Sequence, residues 1–457
     1  MERSTQECYE HGMLRLNFAL PAVVLATLYV ACADPPKRNH HKGNAGASGA
    51  EVVGDAGTGA ADDGGGGSAT SGSGGSGGTA AGGEGGMVPS SDQGGEAGLP
   101  EQAVGGEGGS GAQAGGAGAP PIDPCSTITL GASKLPVPPM PTTAVTQPSG
   151  ALGGFTVINW AGFKGAISYT FDDNLKTQLD HYEELNAVGI PMTFYIVGQT
   201  ASAGSATWNK AVQDGHELGN HTMHHCPTTG TTDQDGCSWA PQTFAGIDNE
   251  LDLCTAKLKS AFGVDAHTFA APFGDSGWSA PAKERFILNR GVSDDQVGIV
   301  PNGTANPFNL PCHTSTEGES AASFNTITDG VRTNGSWRII LVHSFDKTID
   351  GGFNPVKIAD MLETMTYTKG LGDVWADTMV SIGGYWRAQK TLTAVQPATT
   401  KASQTYSWKL PLNFPPGQYV RATVTGGKVM QCGTELTWDE HGYYEINLDA
   451  GSVTISP

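Results

Sequence analysis

The sequence predicts a parallel α/β fold followed by a small all-β segment, and three observations lead to this prediction. Between residue 165 and about residue 390, apolar runs of strand length alternate with stretches of helical periodicity, which is typical of parallel α/β folds, open or barrel. After about residue 392 the helical periodicity stops, and short alternating runs of β type follow. Residues 43–120 show neither pattern, since they contain 30 glycines, nine acidic residues and no Lys, Arg, Cys or aromatic residue.

The α/β elements can be assigned in chain order. A buried strand over 166–171 ends at Asp172 and Asp173, and a helix runs from Leu175 to Gly189. Further strands are expected over 192–197, 267–271 and 338–342, and further helices over 208–213, 244–262, 281–289 and 355–366. Functional loops of parallel α/β folds lie at the carboxyl ends of the strands, so we expect the site there.

The C-terminal segment, residues 393–457, is predicted to be a small β-rich domain. Its strands are expected around 406–410, 419–424, 443–448 and 452–455. Trp408, Trp438 and Tyr443 could stack on sugar rings, but aromatic residues of this kind are more often core. We therefore expect them to pack inside the β-rich domain.

The N-terminal third reads as an export signal followed by a tether. Residues 1–33 contain an uncharged apolar run, with a short positive head if translation starts at Met13, and the run ends in a sequence resembling a bacterial lipobox. We expect Cys32 to be lipidated, with an ordinary cleaved signal as the alternative. Residues 34–120 are expected to be a disordered linker because they cannot bury a core, and residues 121–154 a Pro-rich approach segment. The predicted location is an outer-membrane or cell-surface lipoprotein, otherwise a secreted protein.

Charge and cysteine content narrow the possible partners. The net charge is −20, with 45 acidic and 25 basic residues, and no basic stripe could neutralise phosphates, so a nucleic-acid partner is excluded. Six of the eight cysteines follow the tether, and an even number in an exported chain suggests disulfides. A local Cys226–Cys237 loop is the most plausible pairing, and Cys432 is expected to tie the β-rich domain to the barrel. The sequence does not determine the oligomeric state.

Carboxylates and histidines fall at the predicted strand ends. Asp172 and Asp173 could supply a base and a metal ligand, although an Asp at a strand-to-helix junction is often only a helix cap. His221 and His225 are spaced i, i+4, so a helical or tightly looped turn brings both rings to one side. Asp173 with these histidines would hold a catalytic metal that keeps open positions. His343, at a late strand end, could donate a proton.

Four short motifs resemble those of the polysaccharide deacetylase family, also called the NodB homology or carbohydrate esterase family 4. They are Thr170-Phe171-Asp172-Asp173, the run from Gly215 to His225, Ala270-Ala271-Pro272-Phe273-Gly274, and Leu341-Val342-His343. The resemblance covers roughly residues 155–390 and defines an expected catalytic domain over 155–392.

This resemblance implies a distorted (β/α) barrel of the NodB type and a bound divalent metal, expected to be zinc. It implies Asp173, His221 and His225 as metal ligands, Asp172 as general base and His343 as general acid. The backbone N–H of Phe273 corresponds to the oxyanion donor, and Pro272 and Phe273 to substrate-binding residues. The expected function is metal-dependent removal of acetyl groups from an N-acetylated polysaccharide resembling chitin, peptidoglycan or poly-N-acetylglucosamine.

The sequence departs from the family pattern at two places. Ala270 stands where the family has an arginine that orients the base, so Asp172 needs another partner. The fourth motif, an Asp-and-Trp element supporting the catalytic His, has no convincing match, although Asp294, Asp295 and Trp337 lie in the right interval. Two alternatives therefore stay open: an O-acetyl esterase acting on a polysaccharide such as xylan, and a non-catalytic surface glycan-binding protein.

Overall fold

The structure is a computed structural model that describes residues 124–128, 130–131, 133–229 and 244–457. The expected signal over 1–33 with Cys32, and the expected linker over 34–120, lie outside these residues. The strands are β1 (Thr156–Val157), β2 (Gly165–Asp172), β3 (Thr193–Ile196), β4 (Glu217–Asn220), β5 (Thr268–Ala270), β6 (Leu288–Arg290), β7 (His313–Thr314), β8 (Trp337–Val342), β9 (Val374–Ala376), β10 (Ala398–Thr399), β11 (Gln404–Ser407), β12 (Tyr419–Thr423), β13 (Lys428–Gln431), β14 (Thr434–Glu435), β15 (Tyr444–Asn447) and β16 (Ser452–Ser456). The helices are α1 (Lys176–Asp180), α2 (Tyr182–Ala187), α3 (Ser205–Gln213), α4 (Phe244–Phe262), α5 (Ser279–Lys283), α6 (Ala321–Asn334), α7 (Lys347–Asp350), α8 (Ile358–Leu371) and α9 (Met379–Thr393). Within the described part of the chain, no helix is long and apolar enough to cross a membrane.

Strands β2 to β9 form one parallel sheet that curls into a barrel. The strand order is β6-β5-β4-β3-β2-β8-β7, and β9 pairs with the first half of β2. A parallel bridge between Arg290 and Leu310 joins β6 to the segment that enters β7, and backbone hydrogen bonds from Leu310 to Asn289 and from Gly291 to Leu310 connect the two edges of the sheet there. The architecture is the distorted (β/α) barrel that the sequence predicts.

Strand β2 illustrates how the barrel buries both of its faces. All eight of its residues are buried, as expected for a parallel strand covered on both sides. Ile167, Tyr169 and Phe171 pack in a cluster with the outer helices. Ala166 packs in a second cluster, which extends from the barrel interior through α9 to the C-terminal sheets. Because side chains alternate along a strand, Asp172 lies on the interior face.

The C-terminal residues form two small antiparallel sheets that the N-terminal segment completes. One sheet is β1-β12-β15 and the other β10-β11-β16-β13-β14, so β1 joins this domain although it precedes the barrel in the chain. Trp438 donates from Nε1 to the carbonyl oxygen of Val145 at 2.8 Å, and Tyr443 is only 2% exposed. These contacts agree with the expected core-packing role of the aromatic residues.

The disulfide predictions were partly wrong. Cys432 is bonded to Cys125 in the approach segment, not to the barrel, so this bridge closes the β-rich domain on the segment that enters it. Cys254 and Cys312 are buried free thiols. Cys226 is disulfide-bonded, whereas its expected partner at position 237 lies outside the described residues.

Several predicted helix positions were also wrong. The helix expected over 281–289 ends at Lys283, and residues 288–290 form strand β6 instead. The helix expected from Leu175 to Gly189 is interrupted at His181 and forms α1 and α2. The pattern also missed α6, α9 and the strands β4, β7 and β9. Strands β4 and β7 contain polar residues, and β9 has only three residues.

Candidate functional site

Two adjacent carboxylates leave the carboxyl end of β2 in different directions. Asp172 is the last residue of β2 and is 3% exposed. Asp173 follows with a φ of 73°, in the left-handed region that residues with a side chain rarely adopt. This turn separates the two side chains, so each can take its own role.

The two histidines are carried by a tight loop that follows β4. Thr222 and His225 have φ values of 65° and 57°, and the His225 N–H donates to Thr222 Oγ1 at 2.8 Å. Asn220 anchors the loop to α4, since its Nδ2 donates to the carbonyl oxygen of Leu251 at 2.9 Å. The His-x-x-x-His spacing therefore acts through a strained loop, and not through a helix.

Asp173, His221 and His225 bring three potential ligand atoms to one point. Asp173 Oδ1 lies 3.3 Å from Nε2 of each histidine, and the three ligand atoms all lie within 4.8 Å of one another. The Nδ1–H of His221 donates to the carbonyl oxygen of Ala270 at 2.8 Å, which turns the Nε2 lone pair toward Asp173.

The chemistry of these three atoms fits a divalent cation. Asp173 Oδ1 and His221 Nε2 are buried and have no hydrogen-bond partner, a costly state for polar atoms unless an ion satisfies them. Burial and the neighbouring His221 lower the pKa of His225 to about 4, so its imidazole is neutral at physiological pH. Burial alone raises the pKa of Asp173, but the neighbouring His221 brings it well below its usual range.

The ligand cluster forms part of the wall of a cavity of about 530 Å³. His343, one residue after β8, also lines this cavity, and burial lowers its pKa. Phe273 and Phe353 are 58% and 61% exposed and pack against His225 and His343, with ring centroids 4.7 and 5.6 Å apart. The residues lining the cavity are Asp172, Asp173, His221, His225, Ala271, Phe273, Val292, Thr314, Leu341, His343 and Phe353.

A protein-family comparison identifies the domain. Residues 162–285 match the family model of polysaccharide deacetylases. The chain carries a polysaccharide deacetylase domain. The matched residues include the two carboxylates, both loop histidines and the segment from Pro272 to Gly274.

Curated and solved proteins resemble this domain over limited lengths. A gellan lyase from a Bacillus species is 31% identical over 142 residues, and the match spans 31% of this chain but only 5% of that much longer protein. A putative polysaccharide deacetylase from Mycobacterium smegmatis is 18% identical, covering 52% of this chain and 96% of that one, with a TM-score of 0.39. A family 4 carbohydrate esterase from Streptomyces lividans is also 18% identical, covering 48% and 95%, with a TM-score of 0.33.

The deacetylase domain brings most of the predicted site residues together. Asp172, Asp173, His221, His225, Phe273 and His343 all line the one cavity. Pro272 is buried and is not part of the lining, so of the two predicted substrate contacts only Phe273 faces the cavity. Phe353 also lines the cavity, but nothing in its local sequence distinguishes it as a functional residue.

The arginine that is missing at position 270 has a counterpart on the neighbouring strand. Nη2 of Arg290, on β6, is paired with Asp172 Oδ2, and the Arg290 side chain is fully buried. Arg290 is the register partner of Ala270 on the neighbouring strand. Only the pairing of β5 with β6 could have revealed this, because the residues are 20 positions apart in the chain.

The residues considered for the fourth motif do not support His343. Asp294 pairs with Arg338 at 2.7 Å, Asp295 accepts a hydrogen bond from the same arginine through its backbone oxygen, and Trp337 donates to Ser168 Oγ at 3.1 Å. Within the described residues, His343 Nδ1 is buried without a hydrogen-bond partner.

A glutamine on α1 also belongs to the architecture of the deacetylase domain. Gln178 is fully buried, and its Nε2 donates to the carbonyl oxygens of Asp172 at 2.5 Å and His343 at 2.7 Å. One side chain thus links the ends of β2 and β8, the strands that deliver the two residues expected to move protons.

Proposed function

We propose that this protein is a metal-dependent hydrolase that removes acetyl groups from an N-acetylated polysaccharide. The observation that carries the proposal is one cavity whose lining combines three convergent ligand atoms, the buried carboxylate of Asp172 and the imidazole of His343. Asp173, His221 and His225 would hold the divalent ion. When bound, the ion would polarise the acetyl carbonyl and increase the acidity of a nearby water.

The chain's own residues would move the protons. Asp172 Oδ1 is buried and has no hydrogen-bond partner, so it is free to accept the proton of the attacking water as general base. The backbone N–H of Phe273 would donate to the acetyl oxygen as negative charge develops there. His343 would protonate the sugar nitrogen, because an unprotonated amine is a very poor leaving group.

The cavity walls support a polymer of neutral sugars as the substrate. No Lys or Arg lines the cavity in the described part of the chain, and its mouth carries the exposed apolar side chains of Phe273, Val292 and Phe353. Aromatic faces suit the C–H faces of sugar rings. Because no basic side chain of the described residues lines the cavity, a carboxylate or phosphate substituent on the glycan would have no cationic side chain to pair with. We therefore expect a higher kcat/KM on a chitin-like glycan than on an acidic one.

Acetate release from an N-acetylated chitooligosaccharide tests the proposal. Asp172→Asn should lower kcat about 100- to 10,000-fold while leaving the metal ligands in place. His221→Ala should lower the affinity for Zn²⁺, measured by calorimetry, at least about 100-fold. His224→Gln is the matched control, since His224 lies in the same loop but hydrogen-bonds Glu250 and should keep full metal affinity. Unchanged acetate release in Asp172→Asn and His221→Ala would refute the mechanism.

Zinc is the expected metal, but this donor set does not by itself select one ion. Two imidazoles and a carboxylate suit several divalent ions. Reconstitution of metal-free protein with Zn²⁺, Co²⁺, Ni²⁺ or Mn²⁺, followed by parallel binding and activity titrations, would rank them. Tighter binding of another of these ions at equal activity would contradict the zinc assignment.

An O-acetyl esterase is the second candidate, and one observation favours it. His343 Nδ1 has no hydrogen-bond partner within the described residues, so this acid lacks the support that amine protonation benefits from. An ester alkoxide leaves more easily than an amine. A higher kcat/KM on acetylated xylan than on chitooligosaccharide, with weak dependence on His343, would favour the esterase.

The non-catalytic alternative rests on the two departures from the family motifs. The contact between Arg290 and Asp172 removes the first of them, which is the missing arginine beside the base. Asp172 has a buried cationic partner although position 270 is alanine. Glycan binding without acetate release at full metal occupancy would still support a binding protein, and so would decide against both enzymes.

We further propose that residues 1–33 export the protein and that Cys32 carries a lipid anchor, with 34–120 as a flexible tether. The apolar run ending at Cys32 and the glycine-rich composition that follows support this. Metabolic labelling with a radioactive fatty acid should mark the wild type and not Cys32→Ala. Equal labelling of both forms would argue against an anchor at this residue, and labelling of neither would favour a secreted protein.

A further inference from the structure

Arg290 and Asp172 form a buried ion pair directly below the catalytic cavity. The Arg290 side chain is 0% exposed and the Asp172 side chain 4% exposed. Nη1 of the same guanidinium donates to the carbonyl oxygen of Gly291 at 3.1 Å, and its carbon lies 5.5 Å from the ring centre of Tyr195. The guanidinium is therefore held by the backbone of the residue that follows β6, by an aromatic face and by the carboxylate together.

The two oxygens of Asp172 have different surroundings. Oδ2 is bound by Arg290, whereas Oδ1 is buried and has no hydrogen-bond partner. A carboxylate held at one oxygen by a fixed guanidinium has few rotamers left, and the free oxygen then has one direction in which to face. Since Asp172 lines the cavity, the free oxygen is the one available to a bound water.

The sheet register explains why the arginine can act from β6. Ala270 on β5 and Arg290 on β6 are register partners, so their side chains lie on the same face of the sheet about 5 Å apart. Ala270 is 0% exposed and has no polar side chain. The long, charged side chain is therefore supplied by the neighbouring strand.

We propose that Arg290 is the positioning residue for Asp172, holding Oδ2 so that Oδ1 faces the cavity, and that β6 takes this role because Ala270 leaves the place on β5 open. The proposal rests on the hydrolase function proposed above. It assigns Arg290 an effect on kcat that acts through Asp172, with no contact to the substrate or the metal.

Relocating the arginine tests this assignment. In the full-length protein, Arg290→Ala should lower kcat about 100-fold, while KM and Zn²⁺ affinity stay within about twofold. The double variant Arg290→Ala with Ala270→Arg places a guanidinium at the adjacent register position. Its kcat should be at least about tenfold higher than that of Arg290→Ala alone. Arg290→Lys should retain an intermediate kcat, since an ammonium makes one of the contacts without the rigid fork.

A matched control separates positioning from stability. Arg338 is also a buried arginine on a barrel strand paired with an aspartate, with its side chain 4% exposed, but its partner Asp294 does not line the catalytic cavity, whereas Asp172 does. Arg338→Lys should lower the melting temperature to a degree similar to Arg290→Lys and leave kcat unchanged. If Arg290→Ala does not fold, the kcat values of Arg290→Lys and Arg338→Lys distinguish a positioning role from a purely structural one.

Two results would overturn the proposal. One is a folded Arg290 variant with the kcat of the wild type. The other is a kcat loss in Arg338→Lys equal to that in Arg290→Lys, since a general loss of stability would then explain both. An inactive wild type with full Zn²⁺ binding is a distinct outcome, because it would refute the proposed hydrolase function itself.

Discussion

Replacing Gln178 with leucine should weaken both the fold and catalysis, because one carboxamide links the ends of two barrel strands. Its Nε2 donates to the carbonyl oxygens of Asp172 and His343 at 2.5 and 2.7 Å, and the side chain is 0% exposed. Leucine keeps the approximate volume and removes both donors. Each lost hydrogen bond to a buried acceptor costs about 1–3 kcal/mol, so we expect Gln178→Leu to lower the free energy of unfolding by about 2–5 kcal/mol.

The catalytic effect of Gln178→Leu follows from what the two strand ends carry. If β2 and β8 are free to shift relative to each other, Asp172 and His343 lose their fixed separation across the substrate. We expect kcat for acetate release to fall at least about tenfold, while Zn²⁺ affinity is retained because Asp173, His221 and His225 keep their supports. Urea unfolding, steady-state kinetics and calorimetric metal titration measure the three quantities separately.

Gln389 provides a matched control for this prediction. It is a buried glutamine on α9, and its Nε2 donates to Asn159 Oδ1 at 2.7 Å and to the carbonyl oxygen of Val157 at 3.4 Å. Its Oε1 has no hydrogen-bond partner, as in Gln178. Gln389→Leu should cost comparable stability and leave kcat unchanged. A stability loss below about 0.5 kcal/mol in Gln178→Leu together with wild-type kcat would refute the reasoning.

Three further predictions concern stability and substrate binding. Burial lowers the pKa of His216 from 6.5 to about 4, so the unfolded chain binds a proton that the folded protein does not. The contribution of His216 to stability should therefore be complete above about pH 6.5 and fall by up to about 3 kcal/mol as the pH drops toward 4. Urea unfolding of His216→Gln should show a smaller loss of stability over this range than the wild type, with the remainder due to other buried histidines such as His225; an unchanged slope would contradict the assignment. The double variant Cys125→Ser with Cys432→Ser removes a disulfide that spans 307 residues, and it should lower the free energy of unfolding by up to about 5 kcal/mol. We expect this variant to retain the kcat of the wild type. Loss of kcat in the folded variant would mean that the β-rich domain supports the site. Phe353→Ala should raise KM for a chitooligosaccharide about tenfold by removing an exposed ring at the cavity mouth, while Leu412→Ala, equally exposed at 63% but outside the cavity lining, should leave KM unchanged.

The long apolar elements of the barrel were predictable from the sequence because their burial pattern is local. Strand β2 and strand β8 consist almost wholly of buried residues, and α4 shows a helical period over 19 residues. Each such element can be recognised from its own residues, since the period of the apolar positions differs between strands and helices.

The short strands were not predictable because their residues do not follow that rule. Strand β4 reads Glu-Leu-Gly-Asn and β6 reads Leu-Asn-Arg, and the polar side chains in both face other polar groups in the barrel. Glu217 accepts hydrogen bonds from Thr268 and Thr193 at 2.6 and 2.8 Å. A residue type that is usually exposed therefore has its hydrogen-bond partners within the barrel. Tertiary contacts, and not local propensity, decide these strands.

The sequence by itself determined which residues form the proposed metal site, because the Asp-Asp pair and the His-x-x-x-His spacing each lie within a few positions of one strand end. Only the tertiary structure decided what surrounds them. The partner of Asp172 comes from β6 through a strand pairing, the ligand loop is anchored on α4, and Cys432 pairs across 307 residues. The physical reason is that these contacts join residues far apart in the chain, and a local pattern carries no information about which distant elements the barrel brings together.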